Sequence, residues 1–278
     1  MKFSIIVPSF NQGPYIERAL RSILDQHDPD TEIIVCDGGS RDGTVAVLER
    51  FGPRLRHWVS EPDGGQADAL NKCLDIATGD VIGWLNTDDL YLPGALRRVR
   101  RLFERRPAAG VVHGDRIMID QADGVIGWSC TGRFDPASGG YNVFSETAFW
   151  RRGAMEKAAV RFDASLQFAM DLDFFSRLYL GEAGFVHLPA FLGAFRCYPS
   201  NKSSTLQHVC RTETAIAWQR LFASENWKLP APGAPWRQSL APVLCPMTVG
   251  RPYLWRRFVL GRRGITADTL APGEHRGA

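Results

Sequence analysis

The stretch GDVIGWLNTDDLYLPGAL, residues 79–96, carries an apolar run directly into two adjacent carboxylates. Residues 81–85 have the composition of a buried strand, and Asn86, Thr87, Asp88 and Asp89 follow it. Neighbouring carboxylates at a strand end repel each other, and a divalent cation shared with a phosphate group would offset that repulsion. A solvated turn after a strand is the alternative interpretation of this pair.

Strands and helices alternate on the N-terminal side of this stretch. Apolar runs predict short strands, and apolar stripes that recur every three or four residues predict the helices between them. This alternation indicates βαβ units and an α/β fold with a Rossmann-like, mainly parallel sheet flanked by helices. The predicted strands cover residues 3–7, 32–36, 55–60 and 81–85, and the predicted helices cover residues 44–51, 65–77 and 93–105, with an earlier helix that has Pro14 near its first turn.

Polar residues gather where each predicted strand ends. In open α/β sheets, ligands bind outside the carboxyl ends of the strands. The sequence therefore predicts a ligand site at one edge of the sheet, built from side chains that follow successive strands. These are Ser9 and Asn11, then Asp37, then Glu61 and Asp63, and finally Asp88 and Asp89.

The second half of the chain is less regular. Strands are predicted at 110–118, 142–150 and 185–195, the last with loops, and helices at 171–180 and 212–223. No acidic residue occurs from 226 to 267, whereas prolines and arginines are frequent there. We therefore expect a domain over residues 1–225, divided near residue 109, and a basic, proline-rich extension over residues 226–278.

Bulk composition excludes several classes of protein. Hydrophobic residues make up 45% of the 278 residues and charged residues 23%, which is ordinary for a soluble globular protein. A net charge of +3 is too small to indicate nucleic acid as the main partner. The six cysteines include no CxxC pair, so we expect reduced thiols in a cytosolic protein. His113 is interpreted as a structural residue, and the absence of GxGxxG after the first strand argues against a dehydrogenase.

Three segments together resemble the family 2 glycosyltransferases, which have the GT-A fold. They are SIIVPSFNQGPYIERALRSIL, EIIVCDGGSRDGT and SEPDGGQADALNKCLDIATGDVIGWLNTDDLYLPGAL, and the resemblance extends over residues 3–205. It implies an inverting, metal-dependent hexosyltransferase that moves a sugar from a nucleotide-sugar donor to a saccharide or lipid-linked saccharide acceptor. Polysaccharide biosynthesis would be its setting.

The resemblance also implies a donor site. Pro8, Ser9 and Phe10 would frame the base, and Asp37 would accept a hydrogen bond from it. A turn or cap role is the alternative for Asp37, and an ordinary polar helix face is the alternative for the residues of the third helix. Asn86 stands where many relatives carry a further Asp. The remaining implied donor contacts are Gln66, Asp68, Asn71 and Asp88, and Asp88 with Asp89 would hold Mg²⁺ or Mn²⁺.

On the acceptor side, the resemblance implies that Asp171 is the general base, with a helix N-cap as the alternative. Glu146 and Trp150 would contact the acceptor, although a tryptophan there is as typical of a core. Arg196 and Lys202 would reach the diphosphate. Tyr198 occupies a position where relatives often have His.

The segment RPYLWRRFVLGRRG, residues 251–264, mixes arginines with aromatic and aliphatic residues. This pattern is typical of a peripheral contact with an anionic membrane surface, which would place the enzyme at the inner face of the membrane. Packing on its own domain or on a partner is the alternative.

The sequence alone leaves two other functions open. A sugar nucleotidyltransferase would share the fold, but its glycine-rich basic loop is replaced here by PSFNQGP, which has no basic residue. A catalytically inactive relative that acts as a binding partner is the second alternative, and Asn86 and Tyr198 favour it.

Overall fold

The computed structural model of the protein describes residues 1–134 and 143–223. Its N-terminal half has the predicted alternation of strands and helices, with bounds that shift by a few residues. The first helix buries Ile16, Ala19, Leu20 and Ile23 at the spacing of a single helical stripe. The strands are β1 (Phe3–Ser9), β2 (Thr31–Asp37), β3 (His57–Ser60) and β4 (Val81–Trp84), and the helices are α1 (Ile16–Leu24), α2 (Thr44–Phe51), α3 (Gln66–Ile76) and α4 (Ala95–Arg105).

Five further strands follow β4 along the chain and join the sheet. The predicted strand over 142–150 is wrong in its extent, because Ser145–Thr147 forms a turn of 3-10 helix before the strand begins at Ala148; residue 142 lies outside the described residues. The strands are β5 (Leu90–Tyr91), β6 (Ala109–Ile119), β7 (Val125–Ser129), β8 (Ala148–Arg151) and β9 (Gly184–Arg196), and the helices are α5 (Arg152–Lys157), α6 (Met170–Leu180), α7 (Lys202–Thr205) and α8 (Gln207–Phe222).

All these strands form one nine-stranded sheet in the order β3-β2-β1-β4-β8-β6-β9-β5, with β7 paired to β6. The sheet is parallel from β3 to β4, as predicted. Beyond β4 it is mixed, because β8 runs antiparallel to both of its neighbours, whereas β6 and β9 are parallel. The carboxyl ends of β1 to β4 therefore share one edge.

Alternation along β1 divides the core into two layers. Phe3, Ile5 and Val7 pack in the layer of α1 and α4, whereas Ile6 packs in the layer of α3 and α6. Cys36 and Cys73 are buried in the second layer, as the sequence predicts.

Within residues 1–134 and 143–223, none of the helices is both long and apolar enough to cross a bilayer. The predicted basic extension over 226–278, with its membrane-contact segment 251–264, lies outside the described residues.

Candidate active site

A cavity of about 980 Å³ opens at the carboxyl ends of β1 to β4. Its wall includes Ser9 from β1, Gly38 after β2, Asp63 after β3 and Asp88 after β4. Cavities of this size suit ligands as large as a nucleotide with a sugar. A cavity therefore lies at the predicted edge of the sheet. Of the predicted strand-end residues, Ser9, Asp63 and Asp88 line it, whereas Asn11, Asp37, Glu61 and Asp89 do not.

Asp88 faces the cavity from the loop after β4. Its carboxylate accepts a hydrogen bond of 2.8 Å from the Tyr198 hydroxyl, and Gln12 donates weakly to that hydroxyl at 3.4 Å. Burial raises the pKa of Asp88 above its ordinary value. Burial and the Asp88 charge together raise the pKa of Tyr198, which therefore stays a hydrogen-bond donor at neutral pH.

Asp89 is buried, with only 1% of its surface exposed. Its carboxylate accepts from the Arg196 backbone N–H at 3.0 Å and from the Asn86 amide at 3.2 Å. Burial, reinforced by the charges of Asp88 and Glu146, raises its pKa well above the ordinary value. Asp89 thus ties the loop after β4 to the end of β9, and of the two aspartates only Asp88 lines the cavity.

Asn86 joins two other residues that line the cavity, Gln66 and Trp84. Its carbonyl oxygen accepts from both the Gln66 amide and the Trp84 indole N–H at 2.8 Å. The Lys202 ammonium then donates to the Gln66 carbonyl oxygen at 2.6 Å. Gln66 and Lys202 both line the cavity. Burial lowers the pKa of Lys202, against the opposing effect of the charges of Asp171, Glu213 and Asp88.

Asp171 lines the cavity from the first turn of α6. The N-cap of α6 is Ala169, so the alternative N-cap role of Asp171 is wrong. Burial raises the pKa of Asp171 to about 6, against the opposing effect of a 2.8 Å hydrogen bond from the Leu172 N–H. A carboxylate with such a pKa is suited to accept a proton near neutral pH.

Glu146 reaches the same cavity from the 3-10 turn before β8. Its carboxylate forms an ion pair of 3.2 Å with Arg116, whose guanidinium lies 3.6 Å from the centre of the Phe144 ring. The sequence predicts Glu146 but not Arg116, because β6 carries no local signal that its arginine turns toward the site.

The sequence also gives no indication that Glu213 of α8 supports the site. Its carboxylate, on a residue that is 8% exposed, accepts three consecutive backbone N–H groups, from Gln167 at 2.8 Å, Phe168 at 2.7 Å and Ala169 at 3.0 Å. These residues form the turn directly before α6 and Asp171. Because Glu213 is more than 40 residues from these partners along the chain, no local sequence pattern predicts the contact.

Two predicted donor contacts, Asp68 and Asn71, are not among the residues that line the cavity. Asp68 accepts from the Gly64 N–H at 3.0 Å and forms an ion pair of 3.5 Å with Lys72. The Asn71 side chain donates to the Phe162 carbonyl at 2.9 Å and accepts from the Phe162 N–H at 3.1 Å. Both residues therefore have structural contacts that their sequence position does not reveal.

Trp150 and Arg196 are likewise interior residues. Trp150 is fully buried and packs edge-on against Phe174, with ring centres 5.1 Å apart. Arg196 is 1% exposed, donates to the Asp88 carbonyl at 2.9 Å and forms an ion pair of 2.5 Å with Asp123. It thus holds the backbone of the acidic loop rather than reaching into the cavity. His113 is fully buried in β6 among aromatic rings.

The carboxylate oxygens in the cavity suit a hard divalent cation whose remaining ligands come from a bound substrate and water. In the described parts of the chain, no group of three or more His, Cys, Asp or Glu side chains is arranged as a ready-made metal site. Mg²⁺ is usually held by one or two carboxylates together with substrate phosphates and water. The cavity-facing carboxylate of Asp88 meets that requirement, whereas Asp89 is engaged elsewhere.

The fold is that of the GT-A glycosyltransferases. S. aureus TarS 1-349 in complex with UDP-GlcNAc is similar with a TM-score of 0.66 at 20% identity, over 82% of this chain and 68% of that one. The mannosyltransferase PcManGT from Pyrobaculum calidifontis in complex with GDP-Man and Mn²⁺ is similar with a TM-score of 0.61 at 19% identity, over 96% of this chain and 77% of that one.

The sequence defines the family more narrowly. The glycosyl transferase family 2 pattern matches residues 4–149, and the chain belongs to this family. It is 33% identical over 131 residues to the uncharacterized glycosyltransferase alr2836 of Nostoc sp., covering 44% of this chain and 41% of that protein. It is 32% identical over 155 residues to a PGL/p-HBAD biosynthesis glycosyltransferase of Mycobacterium tuberculosis, covering 54% of this chain and 59% of that protein. The chain thus matches about half the length of these relatives.

Proposed function

We propose that the protein is an inverting, metal-assisted hexosyltransferase that moves a sugar from a nucleotide-sugar donor to a saccharide or lipid-linked saccharide. The observation that carries the proposal is that Asp88 and Asp171 line the same cavity from different elements. One carboxylate follows a strand of the parallel half, and the other begins a helix of the second half. Donor and acceptor chemistry would therefore meet in this cavity.

At the donor end, Asp88 would hold Mg²⁺ or Mn²⁺ against the diphosphate. Such a cation neutralises the charge that develops on the departing nucleoside diphosphate. Lys202 lines the same cavity and would add a second positive charge near the phosphates. The solved relatives whose fold this chain shares are complexes with UDP-GlcNAc and with GDP-Man and Mn²⁺, which supports a nucleotide sugar as donor.

At the acceptor end, Asp171 would act as the general base. Its carboxylate takes the proton of the acceptor hydroxyl while that oxygen forms a bond to the anomeric carbon. The bond from the anomeric carbon to the phosphate oxygen breaks, and its electron pair leaves with the nucleoside diphosphate. Attack from the face opposite the leaving group inverts the configuration at that carbon.

Release of nucleoside diphosphate from a panel of UDP- and GDP-sugars, with Mn²⁺ and water or sugars as acceptor, tests the proposal. We expect turnover by the wild type and losses of about 10²- to 10⁴-fold in Asp171→Asn, because general-base catalysis contributes on that order. Asp25→Asn, which changes an exposed carboxylate at the end of α1, is the matched control and should retain activity.

The outcomes separate the alternatives. Nucleotide binding without turnover would favour an inactive binding protein, for which the Tyr198 contact on Asp88 is the supporting observation. Release of pyrophosphate from a nucleoside triphosphate and a sugar phosphate would favour a nucleotidyltransferase. Either result would overturn the proposed transfer reaction.

A further inference from the structure

The carboxylate of Asp37, predicted to read the base, is already occupied by the protein. One oxygen accepts from the Ser40 hydroxyl at 2.6 Å, and the other accepts from the Ser40 N–H at 2.8 Å and the Ser60 hydroxyl at 2.6 Å. The residue is 1% exposed. Its role is therefore to join the ends of β2 and β3 and the turn after β2.

Two glycines after β2 let the segment that follows β3 approach closely. A Cβ atom on Gly38 would lie 3.1 Å from both carboxylate oxygens of Asp63. A Cβ atom on Gly39, whose φ is 81°, would lie 3.2 Å from the Pro62 nitrogen. The carboxylate of Asp63 thus fills the space in which a side chain at position 38 would project.

Asp63 lines the cavity together with Pro8, Phe10, Gly38 and Pro62. Its Oδ1 atom accepts a hydrogen bond of 2.8 Å from the Gly65 N–H, which fixes the side chain. A carboxylate has about four lone-pair positions, so acceptor capacity remains for a ligand. Phe10 is 61% exposed at the same end of the cavity and offers a face on which a base can stack.

We propose that Asp63, rather than Asp37, reads the base of the donor, and that it selects bases with an N–H at the centre of the pairing edge. The inference rests on the proposed function and adds the class of nucleotide. Uracil presents such an N–H at N3, and guanine presents one at N1 beside its amino group. Adenine and cytosine present a ring-nitrogen lone pair at that place, which a carboxylate repels.

Calorimetric titration of UDP, GDP, CDP and ADP in the presence of Mn²⁺ tests this assignment. For the wild type, we expect UDP or GDP to bind at least about tenfold more tightly than CDP and ADP. A hydrogen bond to a charged group contributes that much affinity or more, and CDP and ADP cannot form it with Asp63. Which of the two binds better identifies the donor nucleotide. Asp63→Asn keeps an oxygen for the Gly65 N–H but removes the charge, and should lose about tenfold or more in affinity for that nucleotide while CDP and ADP change little.

Two further variants serve as controls for the Asp63 substitution. Asp68→Asn changes a nearby carboxylate that does not line the cavity, and it should leave the nucleotide ranking unchanged. Asp37→Asn should lower the melting temperature and still preserve the ranking. An unchanged ranking in Asp63→Asn, or loss of the ranking in Asp37→Asn alone, would overturn the assignment of Asp63. Failure of every nucleoside diphosphate to bind the wild type would overturn the proposed function itself.

Discussion

Replacement of Glu213 by alanine removes the acceptor for three backbone N–H groups before α6. The Ala169 N–H is buried, whereas water can reach Gln167. A buried N–H without a partner costs about 1–3 kcal/mol, so we expect a loss of about 3 kcal/mol in the free energy of unfolding once water replaces part of the contact. For a domain of this size, that corresponds to a melting temperature lower by about 6–12 °C.

The same substitution should impair turnover more than nucleotide binding. The turn that Glu213 holds leads directly into Asp171, and a displacement of a catalytic group by about 1 Å can reduce the rate about 10²-fold. Asp88 is held on the loop after β4 by hydrogen bonds with Tyr198 and Arg196 and not by this turn, so nucleotide affinity should stay nearly unchanged. Glu213→Gln keeps one carbonyl oxygen as an acceptor and should recover part of both losses.

Thermal melts and steady-state kinetics on both Glu213 variants provide the test, with the exposed helical acid variant Glu156→Ala as control. If Glu213→Ala melts like the wild type, the three hydrogen bonds contribute nothing to stability. If it melts at a lower temperature but keeps the wild-type kcat at a temperature where it is folded, Glu213 does not position Asp171.

Three other predictions concern single side chains. Turnover should fall as the pH decreases through about 6, because protonation of Asp171 removes its capacity to accept a proton; a pH–rate profile without that decrease would contradict its role as the base. Glu32→Gln should lose about 3 kcal/mol of stability at pH 7, because hydrogen bonds from Lys2 and other donors outweigh burial and lower the pKa of Glu32 to about 2. Since the folded pKa is depressed, that difference from the wild type should shrink as the pH falls from 4.5 toward about 2 in denaturant melts, and a constant difference would show that charge is not its origin. Asn71→Ala should lower the free energy of unfolding by about 1–3 kcal/mol and leave nucleotide affinity unchanged, because both ends of the amide bond the Phe162 backbone; weaker nucleotide binding would restore its predicted donor role.

The parallel half of the fold and the position of the cavity follow from local patterns. β1 to β4 are short, apolar and separated by amphipathic helices, and polar residues follow each strand, so the edge that binds a ligand is predictable. The insertion of β8 between β4 and β6 is not, because antiparallel pairing between distant segments leaves no periodic signal in either strand.

The direction of individual side chains is the part of the site that sequence analysis misses. Asp88 and Asp89 are adjacent in the motif, yet one faces the cavity and the other accepts a bond from the backbone of Arg196. Asp37 ends β2 and Asp63 follows β3, and their contacts differ because Ser40 and Ser60 occupy the carboxylate of Asp37. In each pair, the two aspartates have different hydrogen-bond partners because of how the backbone folds around them, and composition does not predict that.

The most direct test of the account is a calorimetric comparison of UDP and GDP binding with and without Mn²⁺, in the wild type and in Asp88→Asn. We expect Mn²⁺ to increase wild-type affinity by about tenfold or more, because Asp88 would hold a cation that offsets the charge of the diphosphate. Asp88→Asn should lose that increase. Equal affinity with and without Mn²⁺ in the wild type, or a full increase in Asp88→Asn, would contradict it.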